Sequence, residues 1–189
     1  MTLYEDQEMI LKDVTERFDR LKIPYMLTGS MALSKYAMMR MTNDIDIVMQ
    51  LKYTDAQRII DAFEPEYYVP HGRVSRAIET NFMFNLLHQR SLVKVDCVML
   101  KNTKFQTTAF ANRYEVDFSG FDVWIIGKED LVLSKLLWAN ESRSEMQMRD
   151  VASIIRNGYD EEYVSSWAKK LGVENILSEC ITMLDNYAE

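Results

Sequence analysis

Several classes of protein are excluded by what this chain of 189 residues has little of. It contains only two cysteines, Cys97 and Cys180, and neither lies in a C-x-x-C pair, so neither a disulfide framework nor a structural zinc site is indicated. Only 3 prolines and 6 glycines are present, and no low-complexity tract marks a flexible linker. Both cysteines are expected to be buried thiols of a reduced, folded protein.

Long apolar runs and export signals are also missing. No stretch of about 18 apolar residues is present to span a bilayer. The N-terminal segment is acidic and amphipathic, whereas a signal peptide begins with basic residues followed by a continuous apolar run. We therefore expect a cytoplasmic protein without a membrane partner.

Positive charge is in deficit, since the formal net charge is −7. Extended nucleic-acid binding is not favoured, because it depends on clustered Lys and Arg side chains that displace counterions from phosphates. Most of the acidic excess lies after Gly127. This acidic part would suit a cationic partner or substrate, although solvated helix faces are the commoner explanation.

Apolar residues make up 48% of the chain, enough for a sizeable core, and their periodicity changes along it. Before residue 128, helical patterns alternate with strand patterns. The helices are predicted at 4–22, 31–37 and 54–63, and the strands at 24–27, 44–49, 81–88, 92–99 and 121–126. The strands at 81–88 and 92–99 are predicted to form a hairpin. From Lys128 onward the apolar period is 3.6, which predicts four helices.

These patterns predict an α+β (α/β) fold with a mixed, mostly antiparallel sheet flanked by helices. The sheet and its helices are expected within residues 1–127. A C-terminal helical bundle, residues 128–189, is expected to pack on them.

Two acids stand in the strand predicted at 44–49. Asp44 and Asp46 are i and i+2, so their side chains project from one face with their backbones about 6 to 7 Å apart. Two like charges on one face repel, and Asp is disfavoured in strands, so we expect a cation to neutralise them. Taken alone, such a pair is more often a solvent-facing strand edge with two incidental acids.

A Gly-Ser turn strengthens the case for a site. Gly29-Ser30 follows a short apolar strand and precedes a helical pattern, which places Ser30 near the N-cap. Free amides and the positive end of the helix dipole would then face an anion, and the Ser30 hydroxyl can donate to it. By itself, Gly-Ser is usually a simple turn.

Asp96 is a lone acid inside an otherwise apolar strand. Burying an unpaired carboxylate there would cost several kcal/mol. Asp96 is therefore expected to bind a metal ion, a hydrogen-bond donor, or a nearby Arg or Lys.

The chain thus combines Gly29-Ser30, a spacer of thirteen residues, Asp44-Ile45-Asp46-Ile47 and the distal Asp96. This combination resembles the motif of the polymerase-beta-like nucleotidyltransferase superfamily, over residues 23–100. The resemblance implies a nucleotidyltransferase fold, two Mg²⁺ ions and an NTP as co-substrate. It implies that Gly29 and Ser30 contact the β and γ phosphates and that Asp44 and Asp46 ligate both ions. Asp96 would ligate the catalytic ion and help to deprotonate the acceptor hydroxyl.

Three residues outside this motif are candidates for nucleotide binding. Lys135 is placed to hold a phosphate as a point charge, although a Lys on an amphipathic helix more often only extends to solvent. Arg40 and Thr42, just before Asp44, are placed to contact phosphate or to support the carboxylates. Arg40 is equally compatible with a simple surface charge.

The helical tail, at 128–136 and 149–151, resembles stand-alone prokaryotic nucleotidyltransferase-like proteins that include abortive-infection and toxin/antitoxin members. Two functions remain open. The first is Mg-dependent transfer of NMP from an NTP to an unidentified acceptor, which is a small molecule, an RNA or a protein. The second is a catalytically silent nucleotide-binding or protein-interaction module, such as a toxin/antitoxin component with a protein partner. The three carboxylates favour the first.

Overall fold

The computed structural model describes residues 3–38, 40–42 and 44–186. Within these ranges no helix is both long and apolar enough to cross a membrane. The elements in chain order are α1 (Leu3–Leu21), β1 (Tyr25–Thr28), α2 (Gly29–Leu33), β2 (Asp44–Met49), α3 (Asp55–Phe63), β3 (Tyr67–Tyr68), α4 (His71–Thr80), β4 (Met83–His88), β5 (Lys94–Met99), α5 (Lys104–Ala111), β6 (Tyr114–Asp117), β7 (Asp122–Ile125), α6 (Lys128–Ser142), α7 (Glu145–Arg156), α8 (Glu161–Leu171) and α9 (Glu174–Asn186).

The strands form one mixed sheet in the order β3-β4-β5-β2-β1-β7-β6. Strands β2 and β5 are parallel, as are β1 and β7, and the other four neighbouring pairs are antiparallel. The predicted α+β class with a mixed, mostly antiparallel sheet is therefore confirmed. Because β1 runs against β2 and β5, the end of β1 lies at the same edge of the sheet as the starts of β2 and β5.

The two faces of the central strands differ in burial. Ile45 and Ile47 on β2, and Val95 and Cys97 on β5, are fully buried in the hydrophobic core. The residues between them are only half-buried. Since side chains alternate between the faces of a strand, β2 and β5 share one core face and one accessible face. The predicted carboxylates belong to the accessible face.

Several local predictions are confirmed by this architecture. β4 and β5 pair antiparallel as the predicted hairpin, and four helices follow β7 in the described chain. Both cysteines are buried free thiols. Ser30 lies in the first turn of α2, near the N-cap Thr28 as predicted, but the predicted helical span of 31–37 was wrong, because α2 begins at Gly29 and ends at Leu33.

Sequence periodicity did not predict four of the elements: β3, α4, α5 and β6. The apolar face of α4 is narrow, since only Val74 and Ala77 of its ten residues are buried. β6 lies at the end of the sheet, and three of its four residues are exposed. Elements with so little buried surface leave little periodicity in the sequence.

Candidate active site

The site is built on the ladder between β2 and β5. Asp46 lies directly opposite Asp96 in this parallel pair, and Asp44 lies opposite Lys94. All four residues occupy the alternate strand positions whose side chains point to the accessible face, so their side chains project from the same side of the sheet. The structure thus brings the three acids singled out in the sequence together on one face.

The ammonium group of Lys94 lies between two of these acids. Its Nζ is 3.3 Å from Asp44 Oδ2 and 3.1 Å from Asp96 Oδ2. Burial lowers the pKa of Lys94, but the hydrogen bonds and charges of Asp96 and then Asp44 outweigh burial and raise the pKa above its ordinary value. Lys94 therefore supplies the positive charge that two neighbouring carboxylates need.

The negative charge of Asp46 is less fully neutralised than the charges of Asp44 and Asp96, which Lys94 contacts directly. Burial raises the pKa of the Asp46 carboxyl, and the negative charges of Asp96 and Asp44 raise it further. Lys135 and Lys94 act in the opposite direction without cancelling the rise. The cluster therefore keeps an excess of negative charge and favours an additional cation.

Gly29 brings the start of α2 against Asp46. A Cβ placed on Gly29 would lie 2.0 Å from Asp46 Oδ2, so only glycine fits here. The Gly29 φ of +67° also lies in the left-handed region that favours glycine. Ser30, the next residue, is 6% exposed. The Gly-Ser turn and the carboxylates therefore belong to one site.

Carboxylate oxygens are the protein ligands that Mg²⁺ prefers, and it usually keeps several waters as well. As the side chains now stand, no three His, Cys, Asp or Glu residues of the described chain are arranged to hold a metal. The Lys94 ammonium takes the position between Asp44 and Asp96. Its side chain is 39% exposed, so it can turn towards solvent without unfolding the strand. Such a movement would free Asp44 Oδ2 and Asp96 Oδ2 for a cation.

Asn85 on β4 is a site residue that the sequence did not reveal. It lies opposite Asp96 in the antiparallel ladder, and its Nδ2 donates a hydrogen bond to Asp96 Oδ1. With Lys94 on Oδ2, both oxygens of Asp96 have a donor. A single Asn in a strand carries no sequence signal, so only the register identifies it.

Lys135 and Arg40, both predicted to bind nucleotide, contact the carboxylate of Asp150. Lys135 is 3% exposed, and its Nζ lies 2.7 Å from Asp150 Oδ2 and 3.1 Å from Gln147 Oε1. Arg40 Nε lies 3.0 Å from Asp150 Oδ1. Burial, with a contribution from Arg40, lowers the pKa of Lys135 below its ordinary value, although Asp150 and, more weakly, Asp46 act in the opposite direction. Lys135 thus lies within electrostatic reach of Asp46, with its ammonium held by α7.

Thr42 supports the start of β2. Its Oγ1 donates to the carbonyl oxygen of Asp44 at 3.3 Å, and its own carbonyl accepts a hydrogen bond of 2.8 Å from Gln7 on α1. These contacts hold the backbone that carries Asp44. Of the two roles considered for Thr42, they correspond to support of the carboxylates.

Comparison with protein families gives one match. The family model described as nucleotidyltransferase of unknown function (DUF6036) matches residues 3–170. This range contains the Gly-Ser turn and the three carboxylates. A search of curated proteins gives no match.

Several solved structures have a similar fold. The lincosamide antibiotic adenylyltransferase LnuA, solved with lincomycin, has a TM-score of 0.53 and 16% identity, over 76% of this chain and 93% of that chain. The antibiotic-resistance factor ANT(2'')-Ia has a TM-score of 0.53 and 13% identity, over 97% and 94%. An antigenic nucleotidyltransferase-like protein from Paracoccidioides brasiliensis has a TM-score of 0.56 and 16% identity, over 92% and 91%. These similarities establish the shared fold.

Proposed function

The chain belongs to this family of nucleotidyltransferases, and from that premise we propose that it transfers NMP from an NTP to an acceptor hydroxyl with the help of Mg²⁺. The observation that carries the proposal is the position of Asp46, opposite Asp96 in the β2–β5 ladder and in contact with the start of α2 at Gly29. Metal ligands and a phosphate-binding turn are thereby adjacent. Nucleotidyl transfer needs these two parts above all, because the protein has little covalent chemistry to perform.

Asp44, Asp46 and Asp96 are the residues that would hold Mg²⁺. The metal would supply positive charge to the triphosphate and to the departing pyrophosphate. Asp96 would also accept the proton of the attacking hydroxyl. Asn85 holds Asp96 Oδ1 by a hydrogen bond, which leaves Oδ2 for the hydroxyl or the metal once the Lys94 ammonium has moved away.

Gly29 and Ser30 are the proposed phosphate contacts. Because Gly29 has no side chain, the backbone at the start of α2 is open to close approach by an anion. The Ser30 hydroxyl and the neighbouring amides are donors at the same place. The excess negative charge around Asp46 would repel a triphosphate, so metal and nucleotide are expected to bind together.

A second function is supported by one specific observation, the bridging of Asp44 and Asp96 by Lys94. In a catalytically silent nucleotide-binding module, Lys94 would keep both ion pairs and replace the metal permanently. The two functions therefore differ in whether Mg²⁺ displaces Lys94. They also differ in whether pyrophosphate is released.

The test is to follow pyrophosphate release from each of ATP, CTP, GTP and UTP, with Mg²⁺ and candidate acceptors. Binding of a nonhydrolysable NTP is measured in parallel. Asp44→Ala and Asp46→Ala are expected to abolish release and to weaken Mg²⁺-dependent binding. Asp122→Asn is the matched control, because Asp122 is an exposed carboxylate on β7 of the same sheet.

Two outcomes would contradict the proposal. Pyrophosphate release that survives both alanine substitutions would place the chemistry elsewhere. Nucleotide binding that is independent of Mg²⁺ in the wild type would instead support the silent module.

A further inference from the structure

A groove lies beside the carboxylates, between α4 and β4. Its volume is about 510 Å³, and its lining includes Arg73, Arg76 and Thr80 of α4, Phe82 of the following turn, and Met83 and Asn85 of β4. We name it the α4–β4 groove. Its size is that of a site for a small organic ligand.

The α4–β4 groove meets the candidate active site at one side chain. Asn85 lines the groove and also donates a hydrogen bond to Asp96. In the proposed function, Asp96 accepts the proton of the attacking hydroxyl. A ligand in this groove would therefore present its hydroxyl next to that carboxylate.

The charge of the α4–β4 groove is positive, in contrast to the whole chain. Arg73 and Arg76 stand one helical turn apart, and the described lining contains no carboxylate. Neither arginine forms an ion pair with any acid of the described residues, and two like charges at this spacing repel. An unpaired guanidinium has a fork of donors that matches a phosphate.

An aromatic surface completes the groove. Phe82 lines it and is 64% exposed, unusually high for so large an apolar side chain. An exposed ring next to cationic side chains is suited to stacking with a planar base.

A second cavity, of about 530 Å³, has the opposite character. Glu129, Asp130 and Asp160 contribute its acids, and Tyr36, Tyr114 and Tyr163 its rings. The Asp130 carboxylate accepts hydrogen bonds from Tyr163 Oη at 2.8 Å and from Asn112 Nδ2 at 3.3 Å. None of its described lining residues is one of the three carboxylates or Asn85. A cationic acceptor bound there would have no direct contact with Asp96.

We propose that the α4–β4 groove binds the acceptor and that the acceptor is a nucleotide whose phosphate contacts Arg73 and Arg76 and whose base stacks on Phe82. This proposal rests on the proposed function. Either a mononucleotide or the 3′ end of a single-stranded RNA supplies this chemistry. The net charge of −7 is compatible with either, because only one or two phosphates are held.

The reaction in this arrangement balances without any further reactant. The acceptor hydroxyl oxygen attacks the α phosphorus of the NTP, and a new P–O bond forms. The bond from the α phosphorus to the bridging oxygen breaks, and pyrophosphate leaves with that electron pair. The hydroxyl proton passes to Asp96.

The test measures binding of two probes, AMP and a short fluorescent single-stranded RNA, to the full chain with Mg²⁺ and a nonhydrolysable NTP. Arg73→Glu/Arg76→Glu is expected to lower the affinity for whichever probe binds by at least about tenfold, or about 1.4 kcal/mol. If RNA is the acceptor, the slope of log affinity against log salt should also fall by about 1 to 1.5 for two lost phosphate contacts. Phe82→Leu should weaken binding and Phe82→Tyr should restore it.

The matched control is Arg20→Glu/Arg156→Glu, which makes the same charge change at two exposed arginines of α1 and α7. Thermal melts check that each variant is folded. Binding of the NTP analogue alone is expected to be unchanged in Arg73→Glu/Arg76→Glu and lost in Asp46→Ala.

The two proposals fail in different ways. If NTP analogue binding does not need Asp46, the proposed function itself fails. If it does need Asp46 but neither probe binds, or binding is equal in the groove and control variants, the acceptor proposal alone is overturned. The same holds if the groove variant loses binding of the NTP analogue.

Discussion

Gly29 and Asp46 are in contact so close that no side chain can be placed between them: a Cβ on Gly29 would lie 2.0 Å from Asp46 Oδ2 and 2.8 Å from Asp46 Cβ. Two restrictions therefore act at Gly29, the contact and the left-handed φ of +67°. The contact fixes the Gly-Ser turn relative to the carboxylate. The Gly-Ser turn is thus a structural partner of the Asp-x-Asp strand as well as a proposed ligand contact.

Gly29→Ala is expected to destabilise the protein by about 3 kcal/mol and to abolish Mg²⁺-dependent NTP binding, since backbone strain and overpacking add. The matched control is Gly172→Ala, because Gly172 has a φ of +69° but no heavy atom within 4 Å of the added Cβ. The control should lose only about 1 kcal/mol. Urea unfolding measures both, and equal losses would refute the importance of the Asp46 contact.

Lys94→Met is expected to lower the stability of the metal-free protein and to tighten metal binding. The substitution leaves Asp44 and Asp96 without their ammonium, so repulsion grows until a cation arrives. Calorimetric titration with Mn²⁺, together with melts in the presence and absence of Mg²⁺, measures both effects. Weaker Mn²⁺ binding in Lys94→Met would show that Lys94 assists the metal and does not compete with it.

Asp150→Ala is expected to cost about 3 to 5 kcal/mol, because it leaves the buried Lys135 ammonium without its carboxylate. The double variant Lys135→Met/Asp150→Leu should recover most of this loss, since a well-packed apolar pair often replaces a buried ion pair without penalty. Urea unfolding gives both free energies. A double variant that is as unstable as Asp150→Ala would assign the loss to Arg40 or to the packing of α7.

Asp130→Asn is expected to change how stability depends on pH. Burial raises the pKa of the Asp130 carboxyl, and Glu129 adds to the rise, although Tyr163 and Asn112 oppose it. The folded state therefore binds the proton more tightly than the unfolded state, and stability falls as pH rises from the ordinary value of 3.8 through the raised pKa. Asn carries no such charge. Melts from about pH 4 to about pH 7 should therefore show the stability of Asp130→Asn increasing relative to that of the wild type. A pH profile of Asp130→Asn that runs parallel to that of the wild type would refute the assignment.

The main elements of the site were predictable because each follows from a local pattern. Alternation in Asp44-Ile45-Asp46-Ile47 predicts a strand with both acids on one face, and β2 has this form. Asp96 was predicted to need a metal or a donor, and the structure gives it Lys94 and Asn85. The position of Asp46 opposite Asp96 was not predictable, because the register between strands that are distant in the chain is set by tertiary packing.

Residues that act through distant partners were not predictable. Arg40 and Asp150 are separated by 110 positions, and no local pattern joins them. The role of Lys94 was hidden because a Lys in a half-buried strand position looks like an ordinary accessible residue. Similarly, Arg73 and Arg76 lie on a helix whose buried stripe is only Val74 and Ala77. Their importance appears only when β4 places Asn85 beside Asp96.

β2 and β5 are neighbours in the sheet although α3, β3, α4 and β4 lie between them in the chain. The β3–α4–β4 part of this excursion forms one end of the sheet, and it supplies Asp96 with the hydrogen bond from Asn85. Replacement of this part by another segment that again offers a donor to Asp96 would change the proposed acceptor groove while β2 and β5 stayed in place. Diversification of substrate range in proteins built this way is therefore expected to concentrate between these two strands.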